Sequence, residues 1–414
     1  MSCLPSTQAG SIRNIILCIG DGMGPEQVKA ARFYVGTNLF FESFPYQSTM
    51  TTQSASSSIT DSAAAATAMA TGVKVNNYVI SLRTPGDGSE LETLLEYFKD
   101  RGKATGLVVT SYITHATPAA FGAHEPSRNN LTQIASDYLS QSKPNILFGG
   151  GANGMTPSSA LAAGYAVVTD ANELFALDAD AETFVSGQFG TTHLPYELAN
   201  LGNLPHLHEM TQIALEILDN DPDGFFLMVE GARIDHAGHA NNLTNNIHET
   251  LEFARSVETV FNWMGDREDT LILVTADHET GGLAVVADNG AGNYPTVTWS
   301  NTGHTAAQVP VYGIGLNAHL ATSVFDNIDI PTVASSMAHV PEWCLSSQAD
   351  ATGFHMLWTS SSNDVYQLEN TVSLAPPINW QPAGTFTATT TRLSISITNL
   401  PLTEQRFYRL ISEK

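Results

Sequence analysis

Six short apolar runs constrain the fold of this chain more than any other feature of its sequence. Each run is followed at once by a polar or glycine-rich turn. Its apolarity is continuous rather than alternating, which is typical of strands buried on both faces of a parallel sheet. The runs are Ile15–Ile19, Thr105–Thr110, Asn145–Phe148, Phe225–Val229, Thr270–Thr275 and Val309–Ile314. The helix-like segments between them are Pro25–Phe33, Ser62–Ala70, Leu91–Lys99, Leu131–Leu139 and His248–Met264. The sequence therefore predicts an α/β fold with a mostly parallel central sheet and helices on both faces.

A change of composition near residue 345 predicts a second domain. Beyond it, β-branched and aromatic runs alternate in part and are split by turns rich in Ser, Asn and Pro. This pattern is typical of a small all-β fold. We therefore expect an α/β domain over residues 1–345 and a small β-sandwich-like domain over residues 346–414.

The charge of the chain restricts its partners. Its 414 residues carry a formal net charge of −24, which repels nucleic acid and anionic lipid and predicts no nucleic-acid-binding surface. The same charge repels phosphate esters, so an enzyme that acts on them needs a strong local positive field, which bound divalent cations supply. No uninterrupted apolar run in the sequence approaches the roughly 20 residues that span a membrane.

Cysteine usage predicts neither a zinc site nor a disulfide framework. The three cysteines are Cys3, Cys18 and Cys344, and their spacing matches no zinc motif. Cys18 lies inside an apolar run and is predicted to be a small buried hydrophobe, while a Cys3–Cys344 bridge stays open. The start, Met1-Ser-Cys-Leu-Pro, lacks the basic and apolar regions of a signal peptide. A chain whose leader has been removed would lack them as well.

Polar residues directly after the predicted strands mark the candidate site, because ligands of open α/β sheets bind beyond the carboxyl ends of the strands. Asp21-Gly-Met-Gly follows the first strand, and Glu230 follows the fourth. Asp235 and His239 are four residues apart, so one helical turn puts both on one face as a carboxylate–imidazole pair suited to zinc. Glu230 suits a harder cation such as magnesium. The alternative is a charged loop whose side chains satisfy one another.

Three further motifs offer metal ligands. Asp277 and His278 are adjacent after the fifth strand, which suits a second zinc pair. His304 precedes the sixth strand, and His115-Ala-Thr117-Pro follows the second. A single histidine in such a place is more often structural, so these positions gain weight only from their neighbours.

Ser62 and Arg128 each allow two interpretations. Ser62 opens an alanine-rich helix, where a hydroxyl commonly serves as the N-cap. As a nucleophile it would gain from the partial positive charge of the helix N-terminus, which favours an alkoxide and an arriving phosphate. Arg128 is either an ordinary surface arginine or a planar fork that clamps phosphate.

Taken together, these motifs resemble the alkaline phosphatase family and follow its order. The order is Asp-Gly-Met-Gly, Thr-Asp-Ser-Ala-Ala, His-Ala-Thr-Pro, an arginine, Val-Glu-Gly-Ala-Arg-Ile-Asp-His with a further His, Thr-Ala-Asp-His-Glu-Thr-Gly-Gly and Thr-Gly-His-Thr. The resemblance covers about residues 12–340, and several independent motifs in one order make it specific. It implies a metal-dependent hydrolase of small phosphate monoesters that forms a phosphoserine and releases inorganic phosphate.

The resemblance also implies which residues hold the metals. One Zn²⁺ would be held by Asp235, His239 and His304, a second Zn²⁺ by Asp21, Asp277 and His278, and a third metal, usually Mg²⁺, by Asp21, Thr117 and Glu230. His115 stands where relatives carry either aspartate or histidine, which leaves the identity of the third metal open. Ser62 would attack phosphorus, and Arg128 would bind the phosphate.

Two alternative functions stay open. One is a phosphodiesterase on the same fold, and the other is a non-catalytic protein that binds phosphate or surface glycans. A sulfatase is disfavoured because it needs a Cys/Ser-x-Pro-x-Arg context, which Ser62-Ala-Ala-Ala does not supply. We expect a periplasmic or extracellular protein that is either a monomer or a homodimer.

Overall fold

The computed structural model describes residues 12–335 and, beyond them, the backbone of six strands between residues 346 and 413. The chain divides into two units, Met1–Ala334 and Ser335–Lys414. The domain boundary that the composition places at residue 345 stays a prediction. Cys18 is a buried free thiol, as predicted, whereas Cys3 and Cys344 lie outside the described residues.

A nine-stranded sheet forms the centre of the first unit. The strands within residues 12–335 are β1 (Asn14–Ile19), β2 (Tyr46–Met50), β3 (Ala104–Tyr112), β4 (Ile146–Gly150), β5 (Ala166–Val168), β6 (Val185–Gln188), β7 (Phe225–Glu230), β8 (Thr270–Thr275), β9 (Glu279–Thr280), β10 (Leu283–Ala287), β11 (Thr296–Trp299), β12 (His304–Thr305) and β13 (Val309–Gly315). The sheet has the order β2-β13-β8-β1-β7-β3-β4-β6-β5. Helices flank it, which confirms the predicted fold class.

One predicted strand runs in an unexpected direction. β13 pairs antiparallel with β8 on one side and with β2 on the other, so our interpretation of Val309–Ile314 as a parallel strand is wrong. Its continuous apolarity reflects burial, which a strand inside a mixed sheet has in either direction. The sequence analysis also missed β2, β5 and β6, which are short or half-exposed.

Four neighbouring parallel strands position the candidate site. β8, β1, β7 and β3 lie side by side, and Ile19 pairs with Thr275 on one side and with Glu230 on the other. Every residue of β1, β7 and β8 is buried, so the Ile, Leu, Val and Phe side chains of these strands anchor them on both faces. Their carboxyl ends therefore meet at one edge of the sheet in a fixed register.

The helix bounds follow from local capping signals. The helices are α1 (Pro25–Val35), α2 (Ser62–Thr71), α3 (Leu94–Lys99), α4 (Ala116–Gly122), α5 (Leu131–Asp137), α6 (Pro157–Ala162), α7 (Ala171–Phe175), α8 (Leu207–Leu218), α9 (Arg233–His239), α10 (Leu243–Met264) and α11 (Ile330–Ala334). α3 begins three residues later than predicted because Thr93 and Glu96 form a capping box. α10 begins earlier than predicted because Asn242 caps it.

The second unit contains antiparallel β-structure. Its strands are β14 (Ser346–Asp350), β15 (Gly353–Thr359), β16 (Val365–Thr371), β17 (Gln381–Thr387), β18 (Arg392–Ile397) and β19 (Phe407–Glu413). They form two three-stranded sheets, ordered β14-β15-β18 and β17-β16-β19. Within the described residues, no helix has the length and apolarity needed to cross a membrane.

We predict that the α/β unit folds without the second one. A chain that ends at residue 345 lacks all six strands of the second unit but keeps the whole nine-stranded sheet. Its main thermal transition should stay within about 2 °C of the corresponding transition of the full chain. Differential scanning calorimetry of both chains tests this, and an aggregated or much less stable truncated chain would contradict the boundary.

Candidate active site

The candidate site lies at the carboxyl edge of the four central strands. Asp21 follows β1, Glu230 is the last residue of β7, and Asp277 and His278 follow β8. All four side chains are completely buried. The strand register therefore brings together residues that are far apart in the sequence, as the sequence analysis predicted.

The first group of candidate metal ligands is Asp235, His239 and His304. His239 Nε2 lies 3.3 Å from Asp235 Oδ1 and 3.2 Å from His304 Nε2, and His304 Nε2 lies 3.5 Å from the same Asp235 oxygen. Asp235 and His239 share a face of α9, as their spacing predicts.

Backbone carbonyls fix how the two imidazoles of this group point. His239 Nδ1 donates to the Thr302 oxygen at 2.6 Å, and His304 Nδ1 donates to the Thr60 oxygen at 2.8 Å. Burial lowers the pKa of His304 to about 4, so its ring is neutral at pH 7. In a neutral ring with Nδ1 protonated, Nε2 carries a lone pair. The Nε2 lone pair of His304 and a carboxylate oxygen of Asp235 thus face each other across 3.5 Å, an arrangement that a bound cation stabilises.

The second group is Asp21, Asp277 and His278, whose ligand atoms lie within 4.8 Å of one another. Asp277 Oδ1 accepts hydrogen bonds from the Gly22 and His278 amides at 3.0 and 2.9 Å, which directs its other oxygen inward. Gly22 has φ +72°, and a Cβ there would lie 2.8 Å from the Asp235 Cα. The glycine after Asp21 is therefore required both for the turn and for the approach of α9.

The third group combines Asp21, His115 and Glu230 within 4.8 Å. Thr117, which the resemblance adds to this group, is buried, and its hydroxyl has no hydrogen-bond partner among the described residues. In the same part of the chain, both oxygens of Asp21 and one oxygen of Glu230 are buried without a partner. Unpaired buried oxygens are costly, and their concentration here fits a hard divalent cation with oxygen ligands.

The pKa values of the buried carboxyl groups reflect how closely these groups are packed. Burial, together with the charges of Asp277, Asp235 and Glu230, raises the pKa of Asp21 well above its usual range. Burial also raises the pKa of Glu230 to about 8. Burial would raise the pKa of Asp277 too, but the charge and hydrogen bond of His278 outweigh it and bring the pKa to about 2. The carboxylates therefore repel one another unless positive charge lies between them.

Ser62 is the first residue of α2 and lies beside the second group. Its Oγ is 3.2 Å from His278 Nε2, and only 2% of the residue is exposed. The N-cap interpretation of Ser62 is wrong, because Asp61 caps the helix through a bond from the Ala64 amide to Asp61 Oδ1 at 3.1 Å. The Ser62 hydroxyl is thus free of capping and sits at the positive end of a ten-residue helix.

Arg128 is held at the same helix end. Its Nη1 donates to Asp61 Oδ2 at 3.0 Å, and its Nη2 donates to His115 Nε2 at 3.3 Å. A guanidinium carries two hydrogens on each terminal nitrogen, so each nitrogen keeps one N–H for a ligand. The interpretation of Arg128 as an ordinary surface arginine is therefore disfavoured, since its side chain is 17% exposed and doubly anchored.

The sequence analysis missed two residues of this site. Asp61 carries a recognisable signal, since aspartate before a helical run is a strong N-cap. His193 carries none, because it stands alone in a loop far from the motifs. Its ring centroid lies 4.4 Å from that of His236 and 5.5 Å from that of His115. Burial lowers the pKa of His193 to about 4 and that of His236 to about 3. These two rings, which we call the histidine wall, are therefore neutral at pH 7.

Comparison with known sequences identifies related proteins. The family model described as Alkaline phosphatase matches residues 12–296. Alkaline phosphatase 3 of Bacillus subtilis (strain 168) is 38% identical over 296 residues, which are 67% of this chain and 63% of the relative. The tissue-nonspecific alkaline phosphatase of Rattus norvegicus is 32% identical over 330 residues, covering 64% of this chain and 63% of the relative. The chain thus spans about 63% of the length of these curated relatives.

Solved structures show the same fold. The cold-active alkaline phosphatase of Shewanella sp. is 29% identical, with a TM-score of 0.72, and the match covers 78% of this chain and 99% of that one. A histidine-to-aspartate variant of the TAB5 alkaline phosphatase, with Mg bound in its M3 site, is 26% identical with a TM-score of 0.70. That match covers 80% of this chain and 98% of the TAB5 chain.

We predict that Asp61, and not Ser62, stabilises the start of α2. Asp61→Ala removes the cap together with the acceptors of the Tyr78 amide and of Arg128, and should lower the free energy of unfolding by at least about 1–2 kcal/mol. Ser62→Ala removes no capping bond and should cost less than about 0.5 kcal/mol. Asp61→Asn keeps the capping oxygen but puts an amide donor where Arg128 donates, so its loss should lie between the other two. Urea denaturation of the three variants measures these values. A Ser62→Ala loss as large as that of Asp61→Ala would contradict the assignment.

Proposed function

The chain belongs to the alkaline phosphatase family, and we propose that it hydrolyses phosphate monoesters through Ser62 with the help of bound divalent cations. The observation that carries the proposal is the position of the Ser62 hydroxyl. It lies at the N-terminus of α2, 3.2 Å from His278 Nε2. Three groups of metal-ligating side chains surround this point.

The donor atoms indicate which cation each group prefers. Imidazole and carboxylate donors suit Zn²⁺, so we assign one Zn²⁺ to Asp235, His239 and His304 and another to Asp21, Asp277 and His278. The third group is rich in oxygen and suits Mg²⁺, with Thr117 and Glu230 beside Asp21. The Mg in the M3 site of the TAB5 variant supports this choice, and His115 would be its nearest imidazole. When bound, these cations supply Lewis acidity and positive charge for phosphoryl transfer.

The residues of the chain position the reacting atoms. The Ser62 hydroxyl gives up its proton as Oγ forms a bond to phosphorus, while the bond from phosphorus to the leaving oxygen breaks and that oxygen takes up a proton. The oxygen of a water molecule then bonds to phosphorus, the bond from phosphorus to Ser62 Oγ breaks, and a proton from the water restores the hydroxyl. The amides at the start of α2 favour the negative charge that develops there. The free N–H groups of Arg128 bind two oxygens of the phosphoryl group. His115 and Asp61 hold the guanidinium in place during both steps.

The side chains of the site disfavour a non-catalytic phosphate-binding protein. A binding protein needs cationic or amide donors for the anion, but not a serine hydroxyl beside several unpaired carboxylate oxygens.

A periplasmic or extracellular location belongs to the same proposal, and the net charge of −24 supports it as a solubilising feature.

We predict that Ser62→Ala abolishes the covalent intermediate and leaves the metal groups intact. The zinc and magnesium content of the variant should equal that of the wild type, because no proposed ligand is removed. Its kcat for p-nitrophenyl phosphate should fall at least about 1,000-fold. Elemental analysis and a steady-state assay measure both quantities. In the wild type, acid quenching with labelled substrate should trap phosphate on the peptide that contains Ser62.

The metal requirement is tested on the same proteins. Chelation of the wild type should remove activity, and Zn²⁺ with Mg²⁺ should restore it. Full activity in metal-stripped protein, or a trapped label on another residue, would contradict the proposal.

We predict that Arg128 favours monoesters over diesters. A bound monoester dianion offers two free oxygens to the guanidinium fork, whereas in a diester one of them carries a substituent. Arg128→Ala should therefore reduce kcat/KM for p-nitrophenyl phosphate by about 30- to 150-fold, or 2–3 kcal/mol. The loss for bis-p-nitrophenyl phosphate should be markedly smaller. Equal losses, or a wild type that prefers the diester, would favour the phosphodiesterase alternative.

A further inference from the structure

Glu279 is a buried side chain that has no part in the proposed reaction steps. It is the first residue of β9, directly after His278, and only 3% of it is exposed. Hydrogen-bond donors of the chain reach both of its carboxylate oxygens. The oxygens of Asp21, in contrast, are unpaired among the described residues. Donors of the chain itself, rather than a cation, therefore offset the burial of the Glu279 carboxylate.

The donors to this carboxylate come from three separate segments. Glu279 Oε1 accepts from the Gln27 side-chain amide at 2.7 Å and from the Leu283 amide at 3.2 Å. Glu279 Oε2 accepts from the Gly282 amide at 3.1 Å and from the Thr305 hydroxyl. One carboxylate thus joins α1, the turn that leads into β10, and β12.

Two of the joined strands adjoin or carry candidate metal ligands. β9 pairs antiparallel with β12, so that Glu279 lies opposite Thr305 and Thr280 lies opposite His304. His304 belongs to the first group, whereas His278, which precedes β9, belongs to the second. The centroids of these two imidazoles lie 3.5 Å apart, with 22° between the ring planes. The bond between Glu279 and Thr305 therefore ties the strand beside a second-group ligand to the strand of a first-group ligand.

Thr280 contacts both groups from the other face of β9. Its hydroxyl donates to Asp235 Oδ1 at 2.5 Å and lies 3.3 Å from His278 Nδ1. Its carbonyl accepts from the Gln27 side-chain amide at 2.8 Å. Successive side chains of a strand point to opposite faces, so Thr280 faces the ligands while Glu279 faces α1. Whatever holds β9 in place also holds this hydroxyl.

The turn after β1 is shaped to admit the Glu279 side chain. A Cβ at Gly24 would lie only 2.3 Å from Glu279 Cγ. Gly24 has φ −78°, which any residue adopts, so lack of space and not backbone conformation requires glycine here. Gly24 lies between Asp21 and α1. The turn that carries Asp21, a second-group ligand, is therefore packed directly against Glu279.

We propose that Glu279 is a positioning residue that fixes the first and second candidate metal groups relative to each other. It joins β12 on the side of the first group to β9 and the Asp21 turn on the side of the second. This role rests on the metal assignment of the proposed function. A clamp of two cations on a phosphoryl group needs a fixed separation between them, and residues that hold metal ligands from behind increase metal affinity.

The zinc affinity of the metal-free full chain tests this role. Glu279→Gln keeps the shape of the side chain but turns an NH₂ group towards partners that all donate. It should weaken the binding of both zinc ions by about 10- to 100-fold, measured by competition with a chromogenic chelator. Thr305→Val removes only the bond to β12 and should weaken zinc binding by about 3- to 10-fold.

Glu26→Ala is the matched control. Glu26 Oε2 accepts from the Val285 amide at 2.7 Å, so this carboxylate also joins α1 to β10. Its bond reaches neither β9 nor β12. Removing it loosens the same hairpin without releasing the strands beside the ligands, and the zinc affinity should equal that of the wild type.

Thermal melting of the metal-free variants separates positioning from a general structural role. A lower melting temperature of Glu279→Gln with an unchanged zinc affinity of its folded form would overturn the positioning role. Equal weakening of zinc binding in Glu26→Ala would also overturn it. If Glu279→Gln does not fold, Thr305→Val decides, and wild-type zinc affinity in that variant would overturn the role. A wild type that binds fewer than two zinc ions would instead overturn the metal assignment of the proposed function.

Discussion

Repulsion among buried carboxylates is the constraint on which the rest of this structure depends. Asp21, Glu230 and Asp277 are completely buried at the carboxyl ends of three adjacent strands, and Asp235 joins them from α9. Several of their oxygens have no hydrogen-bond partner within the part of the chain that the structure describes. Buried unpaired charge is tolerated only where a cation or a strong hydrogen bond offsets it. The apolar strands thus hold in register a cluster of carboxylates that a bound cation would stabilise.

At the start of α2, one residue caps the helix and the next residue offers a free hydroxyl. Asp61 satisfies the Ala64 amide and anchors Arg128, which leaves the Ser62 hydroxyl available beside His278. The same carboxylate accepts from the Tyr78 amide, so the start of α2, the Arg128 side chain and the backbone at Tyr78 share one anchor. Any change at Asp61 is therefore expected to affect helix stability, the orientation of Arg128 and the position of Tyr78 together.

The proposed activity requires an acidic protein to attract an anionic ester. The net charge of −24 acts at long range and is screened by salt, whereas cations held by the candidate ligand groups would act, together with Arg128, over a few ångströms at a buried site. The histidine wall near Arg128 adds no charge of its own at pH 7, because burial lowers the pKa of His193 and His236. Under the proposed function, attraction of the phosphoryl group would therefore come from the candidate metal groups and Arg128.

The sequence by itself determined the strand interiors and the ligand motifs, because continuous apolar runs and polar residues at strand ends are local patterns. It thus predicted the α/β class and the residues that meet at the sheet edge, such as Asp21 and His278. It could not decide the direction of β13, because burial on both faces produces the same apolar run in either direction. Nor could it show that Asp61 replaces Ser62 as the cap, that His193 adjoins His115, or that the backbone of Tyr78 is bonded to both Asp61 and Arg128. These relations depend on distances between segments far apart in the chain, which only the tertiary structure fixes.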